Sequence, residues 1–152
     1  MRYFILFSLT LLFAACATAR MDVPAGFAHF DKEESQFLMA AADGFMVRAR
    51  IAGDGDTLAG NLDIALWQKE TDGFLTARGY LPVTKREVKT GGGMTGTLTE
   101  YTILYNGEEH RYAVALFSDG TRLFIVEAGG SAAAFEKHRT QVEQAIATLR
   151  AD

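Results

Sequence analysis

The stretch from Thr97 to Ala128 constrains the fold more than any other. It holds three apolar runs, Thr97 to Tyr105, His110 to Phe117 and Thr121 to Ala128, separated by Asn106-Gly107 and Asp119-Gly120. Both dipeptides tolerate the positive φ angles of a two-residue hairpin turn, whose twist matches the strands it joins. The prediction is an antiparallel three-stranded meander. In its later strands Tyr112, Val114 and Leu116 oppose Ala113, Ala115 and Phe117, and Leu123 and Ile125 oppose Phe124, Val126 and Ala128. Both faces are apolar, so both need cover. One cover is a helix from about Ala132 to Arg150, where Phe135, Val142, Ala145, Ile146 and Leu149 fall on one stripe. Ser131 is its expected N-cap, reached through Gly129-Gly130.

Upstream, Phe27 to Phe30 reads as a short strand, and Gln36 to Ala41 and Phe45 to Ile51 as a hairpin across Asp43-Gly44. In its second arm Phe45, Val47, Ala49 and Ile51 share the packed face, and Met46, Arg48 and Arg50 the other. Arg48 and Arg50 are candidates for binding an anionic group, set against the simpler reading of a solvated strand face. Gly53-Asp54-Gly55-Asp56-Thr57 resembles part of a calcium loop, but Leu66 stands where the bidentate Glu belongs. A turn with Asp56 or Thr57 as N-cap is preferred, leading into a helix that runs to about Arg78. Leu58, Leu62, Ala65 and Leu66 share its apolar side, and Trp67 and Phe74 extend the arc. Trp67, Phe74 and Tyr80 are either core or the lining of a ligand cleft between this helix and the sheet. Val83 to Lys89 carries the charge of a sheet edge, and Gly91-Gly92-Gly93 reads as a hairpin loop, since no G-K-[ST] follows it.

The front of the chain carries a different kind of information. Arg2 and the apolar run Tyr3 to Phe13 form an export signal too short for a lasting membrane span. Leu12-Phe13-Ala14-Ala15-Cys16 then resembles the lipobox of bacterial lipoproteins, departing from it at Phe13, where Leu is usual. That resemblance implies cleavage before Cys16, a diacylglycerol thioether on its sulfur and a fatty acyl chain such as palmitate on its amine. Ala17 after the cysteine implies sorting to the periplasmic face of the outer membrane. Ordinary signal-peptide cleavage after Ala17 or Ala19 is the alternative. Cys16 is the only cysteine, so no disulfide is available. Residues 1–15 are then the signal peptide, 16–25 the lipidated N-terminus and a short tether, and 26–152 a single domain. The ten residues from Ala17 to Gly26 reach roughly 35 Å when extended.

Several chemistries lack a sequence signature. His29, His110 and His138 stand apart with no metal-ligand spacing, no nucleophile elbow is present, and no cofactor motif is recognisable. The expectation is no enzyme, no metal and no cofactor. A net charge of −4 without basic blocks argues against nucleic acid.

The order strand, hairpin, helix, charged strand, meander, helix, carried by Trp67, Gly79-Tyr80, Tyr112 to Phe117, Leu123 to Gly129 and the Phe135 helix, resembles the PsbP-like and Mog-like fold group. The resemblance implies an α+β domain, an antiparallel sheet between two helices in an α/β/α sandwich. It also implies an accessory or assembly factor that binds a protein partner in the cell envelope. A small-molecule or lipid-binding module is the other functional expectation.

Overall fold

The computed structural model describes residues 18–31, 37–52 and 62–151. The leader, Cys16 and the Gly53 to Thr57 turn with its expected cap lie outside the described residues.

Among the described residues nine strands and two helices follow in order: β1 (Ala19–Arg20), β2 (Phe27–Asp31), β3 (Phe37–Ala41), β4 (Met46–Ala52), α1 (Ile64–Thr76), β5 (Leu81–Lys89), β6 (Thr95–Tyr105), β7 (Glu108–Ser118), β8 (Leu123–Ser131), α2 (Ala132–Ala147) and β9 (Arg150–Ala151). Seven of the strands form one sheet in the order β2-β3-β4-β8-β7-β6-β5, with every neighbouring pair antiparallel. Two hairpin blocks therefore meet where β4 pairs with β8. The chain leaves β4 near one end of the sheet and must reach β5 at the far edge. α1 lies on that crossover and packs over β5, β6 and β7. α2 folds back over β8 and β7 from the other side. The result is the expected α+β sandwich.

The alternation read from sequence sorts the core correctly. Ala113, Ala115, Phe117, Phe124, Val126 and Ala128 join Phe45, Val47 and Ala49 under α2, whose Phe135, Val142, Ala145 and Ile146 complete the cluster. Val114, Leu116, Leu123 and Ile125 face α1 with Leu75 and Tyr101. Each large apolar side chain so buried contributes about 1.5–3 kcal/mol relative to exposure.

Three turns differ in length from expectation or match it for visible reasons. Asn106 and Gly107 both take positive φ, 50° and 80°, as a two-residue hairpin requires. At Asp119-Gly120 the connection is instead four residues long, because the Asp119 carboxylate accepts from the backbone N–H groups of Thr121 and Arg122 and from the Arg122 guanidinium. Burial raises that acid, but these bonds outweigh it and hold its pKa at about 2. At Asp43-Gly44 four residues likewise separate the strand ends, with Gly44 N–H donating to Ala41 C=O and Ala41 N–H to Phe45 C=O.

Other boundaries are corrections. α2 stops at Ala147 rather than Arg150, since Thr148 caps it and the chain turns into β9. β9 pairs with β1. Ala19 and Met21, 1% and 3% exposed, are already in the core beneath α2, upstream of the Gly26 at which the domain was expected to begin. α1 is described from Ile64, capped by Asp63, whose carboxylate accepts from Ala65 and Leu66 N–H. Its buried side also differs from the expected stripe. Leu66 and Ala65 point outward, while Gln68 and Leu75 are buried. Gln68 is tolerated because its amide donates to Asp72 at 2.7 Å and to the Tyr101 hydroxyl at 3.4 Å.

Charged groups fasten each helix to the sheet. The buried Glu100 of β6 takes a bidentate ion pair from Arg139 of α2. On the two residues just before Arg139, His138 Nε2 meets Asp43 at 2.9 Å and Lys137 Nζ donates to the same carboxylate at 2.7 Å. These partners hold Asp43 well below the usual carboxylate range, Lys137 first and His138 second. Under α1 the Tyr101 hydroxyl donates to Asp72, and burial with that carboxylate pushes Tyr101 above its ordinary range.

Candidate functional site

Because α1 crosses only the β5 to β7 side of its face, the rest of that face carries a groove among the described residues. Its volume is about 750 Å³, and its lining includes Leu38 and Met46 from the first hairpin, Ile103 and His110 from the meander, and Tyr80 from the chain after α1. That volume lies within the roughly 300–1,000 Å³ of small-molecule sites.

Gly129 makes the depression. It stands opposite Tyr112 on β7 and opposite Met46 on β4. A Cβ at Gly129 would lie 3.0 Å from Tyr112 Cδ2, so the missing side chain gives the Tyr112 ring its seat. The Tyr80 ring then sits 5.6 Å from that of Tyr112, a normal aromatic pair distance.

The polar wall is built around Glu127, which stands opposite Arg48. Arg48 donates from Nε and Nη2 to Glu127 Oε2 at 2.9 and 2.6 Å. The Tyr112 hydroxyl donates to Glu127 Oε1 at 2.5 Å. Arg50 Nε stands 3.7 Å from Oε2, beyond hydrogen-bond length. Both carboxylate oxygens thus have donors, while the two guanidinium groups outnumber the acid they face. Burial first, and the Glu127 carboxylate second, push the Tyr112 hydroxyl well above the usual tyrosine range. Tyr112 is therefore a fixed neutral donor and Glu127 a satisfied acceptor. The wall offers hydrogen-bond donors beside apolar surface.

The residues singled out from sequence divide. Arg48 and Tyr80 line the groove, and Arg50 stands just behind its wall. Trp67 is half-buried against the core beneath α1 and is not a groove residue. Phe74 is 57% exposed, with the Arg78 guanidinium 3.4 Å above its ring. Cys16 lies outside the described residues. Sequence reasoning missed Glu127, Tyr112 and His110. Glu127 did carry a signal, as the one charge within the apolar run Leu123 to Ala128. Among the described residues no group of three or more His, Cys, Asp or Glu is placed to hold a metal ion. No described helix is long and apolar enough to cross a membrane.

Comparison with known proteins places the fold. No family model and no curated protein sequence matches the chain. Solved structures do. LpqN of Mycobacterium tuberculosis, described as involved in cell envelope biogenesis, superposes with a TM-score of 0.64 at 11% identity, over 89% of this chain and 83% of its own. The cyanobacterial PsbP protein of Synechocystis superposes with a TM-score of 0.56 at 8% identity, over 90% of this chain and 92% of its own. A protein from Bacteroides thetaiotaomicron matches at 20% identity and a TM-score of 0.56 over 88% of this chain. The present chain spans 45% of that protein's length. The architecture is thus shared with PsbP-like proteins, in agreement with the strand and helix order read from sequence.

Proposed function

We propose that this protein is a non-enzymatic accessory protein of the cell envelope, exported, lipidated at Cys16 and bound to a protein partner. The observation that carries the partner is an apolar corner at the β5 edge. Leu81 stands opposite Thr102, so Leu104 is its diagonal neighbour, and the two are 61% and 75% exposed. Val83 and Tyr105 are exposed on the same two strands. Such clustered apolar exposure marks docking surfaces. The corner is also far from the anchor. β1 packs against β4, four strand spacings or roughly 19 Å from β5. With Ala19 already in the sheet, a lipid on Cys16 leaves only three residues, roughly 10 Å, between membrane and domain. The apolar corner then lies across the sheet from the anchor. A fold neighbour described as involved in envelope biogenesis agrees with this setting.

A photo-crosslinking residue at Leu104, combined with intact mass of the membrane-bound protein and of Cys16→Ala, tests the reading. The expected result is a lipid-sized increment lost in the variant and one abundant envelope protein crosslinked at Leu104. Unmodified protein in the soluble fraction, or no crosslink above that of a residue on the opposite edge, overturns it.

A second reading, a small-molecule or lipid-binding module, is favoured by the groove. Its satisfied carboxylate, neutral tyrosine and outward guanidinium groups suit binding rather than turnover.

A further inference from the structure

The groove's two walls differ in chemistry, and together they specify a ligand. We propose that it binds an anionic amphiphile, with the head on Arg48 backed by Arg50 and the apolar portion along Met46, Leu38 and Ile103. This rests on the binding reading of the groove and is independent of the protein-docking corner. Charge decides the head. Two guanidinium groups face one carboxylate, so one positive charge is left uncompensated at the wall. Arg48 spends only Nε and Nη2 on Glu127, which leaves Nη1 to a ligand. Arg50 stands beyond hydrogen-bond length from the same oxygen. An anion placed there gains charge-assisted bonds from a planar fork suited to carboxylate and phosphate oxygens.

Burial decides the body. Met46 is 54% exposed although it belongs to a strand paired on both sides, and its side chain points to the groove rather than the core beneath α2. Leu38, the second residue of β3, lies on the same face. A purely polar anion would leave these groups wet, and a neutral chain would leave the guanidinium charge unanswered. The neutral Tyr112 hydroxyl, committed to Glu127, adds no second negative charge against the head.

Calorimetric titration of the folded domain, at concentrations below micelle formation, tests the assignment with four probes: dodecyl phosphate, laurate, inorganic phosphate and dodecyl maltoside. Dodecyl phosphate or laurate should bind at least about tenfold more tightly than both inorganic phosphate and the neutral maltoside. The ratio between the two anionic probes separates a phospholipid-type phosphate from a fatty-acid carboxylate. Arg48→Gln should weaken binding about tenfold while lowering the melting temperature by no more than a few degrees, since Tyr112 still serves Glu127. Met46→Trp, which fills the groove from an exposed position, should weaken the chain-bearing anions alone. Equal binding of dodecyl maltoside, equal binding of inorganic phosphate, or no binding by the unsubstituted protein overturns the proposal. None of these outcomes bears on crosslinking at Leu104, so the two readings fail separately.

Discussion

The two faces of the sheet have the same strands and different fates. Under α2 the face is closed from β2 to β6 by Phe27, Phe45, Val47, Phe117, Phe124 and the helix stripe, with the β1–β9 pair sealing one end. Under α1 only the β5 to β8 side is packed, and the β3–β4 side keeps Met46, Arg48 and the groove. The difference follows from connectivity. α2 follows β8 at the middle of the sheet and can lie along its centre, whereas α1 must travel from β4 to the far edge and covers what it crosses. A closed face stabilises, and a half-covered face leaves room for a ligand.

Truncations should separate the faces most strongly. Phe45→Ala removes a ring that is 1% exposed and packs edge-on to Phe135 at 5.8 Å, so a loss of about 3–5 kcal/mol is expected in urea unfolding. Met46→Ala, the next residue on the opposite face, should change stability by no more than about 0.5 kcal/mol. Similar costs for these neighbours would mean that the groove side is packed after all.

The ion pairs give the next contrast. Arg139→Met strands the buried Glu100 carboxylate, and a loss near the lower end of about 3–5 kcal/mol is expected because Arg139 is itself partly solvated. Arg48→Gln removes a comparable pair in geometry, but Glu127 keeps Tyr112, and the cost should be within about 1 kcal/mol. Chemical denaturation midpoints of the two variants decide the point.

What was legible in the sequence was whatever depends on neighbours along the chain. The face assignments of β4, β7 and β8 follow from a period of two, and the α2 stripe from a period of 3.6, because each periodicity is written locally. The end of α2 was not legible. Leu149 continues the stripe, and no Gly or Pro stops it; the stop comes from β9 pairing with β1, residues far away in the chain. The burial of Gln68 was not legible for the same reason, since the Tyr101 hydroxyl it meets belongs to β6. The groove was half visible. Arg48 and Arg50 showed as a charged alternation, and Glu127 as a charge in an apolar run, but only the β4–β8 register sets them together. Gly129, expected with Gly130 to turn the chain into the helix, instead lies within β8 opposite Tyr112, a pairing set by a strand distant in the chain.

Extremes of pH should loosen the faces one at a time, with smaller effects than the truncations. On the α1 side Tyr101 and Tyr112 have pKa values raised above the ordinary tyrosine value, chiefly by burial and then by Asp72 and Glu127. The folded state holds the neutral phenol more tightly than the unfolded chain does. Its contribution is complete below about pH 10 and is lost as pH rises above it. Tyr112→Phe should therefore flatten the alkaline fall in melting temperature, and an unchanged slope would detach the Tyr112–Glu127 bond from stability.

On the α2 side the sign reverses. Asp43 is held below its ordinary value by Lys137 and His138, so its contribution is complete above about pH 4 and is lost progressively as pH falls below that toward its lowered folded value. Asp119 behaves alike between 3.8 and about 2, but it fastens a loop rather than a helix and should add no more than about 1 kcal/mol once solvent screening is counted. Asp43→Asn should accordingly flatten the acid limb while leaving the alkaline limb intact, the converse of Tyr112→Phe. If both substitutions flattened the same limb, the two helices would not be independently fastened, and the half-open face could not accommodate a ligand without disturbing the closed one.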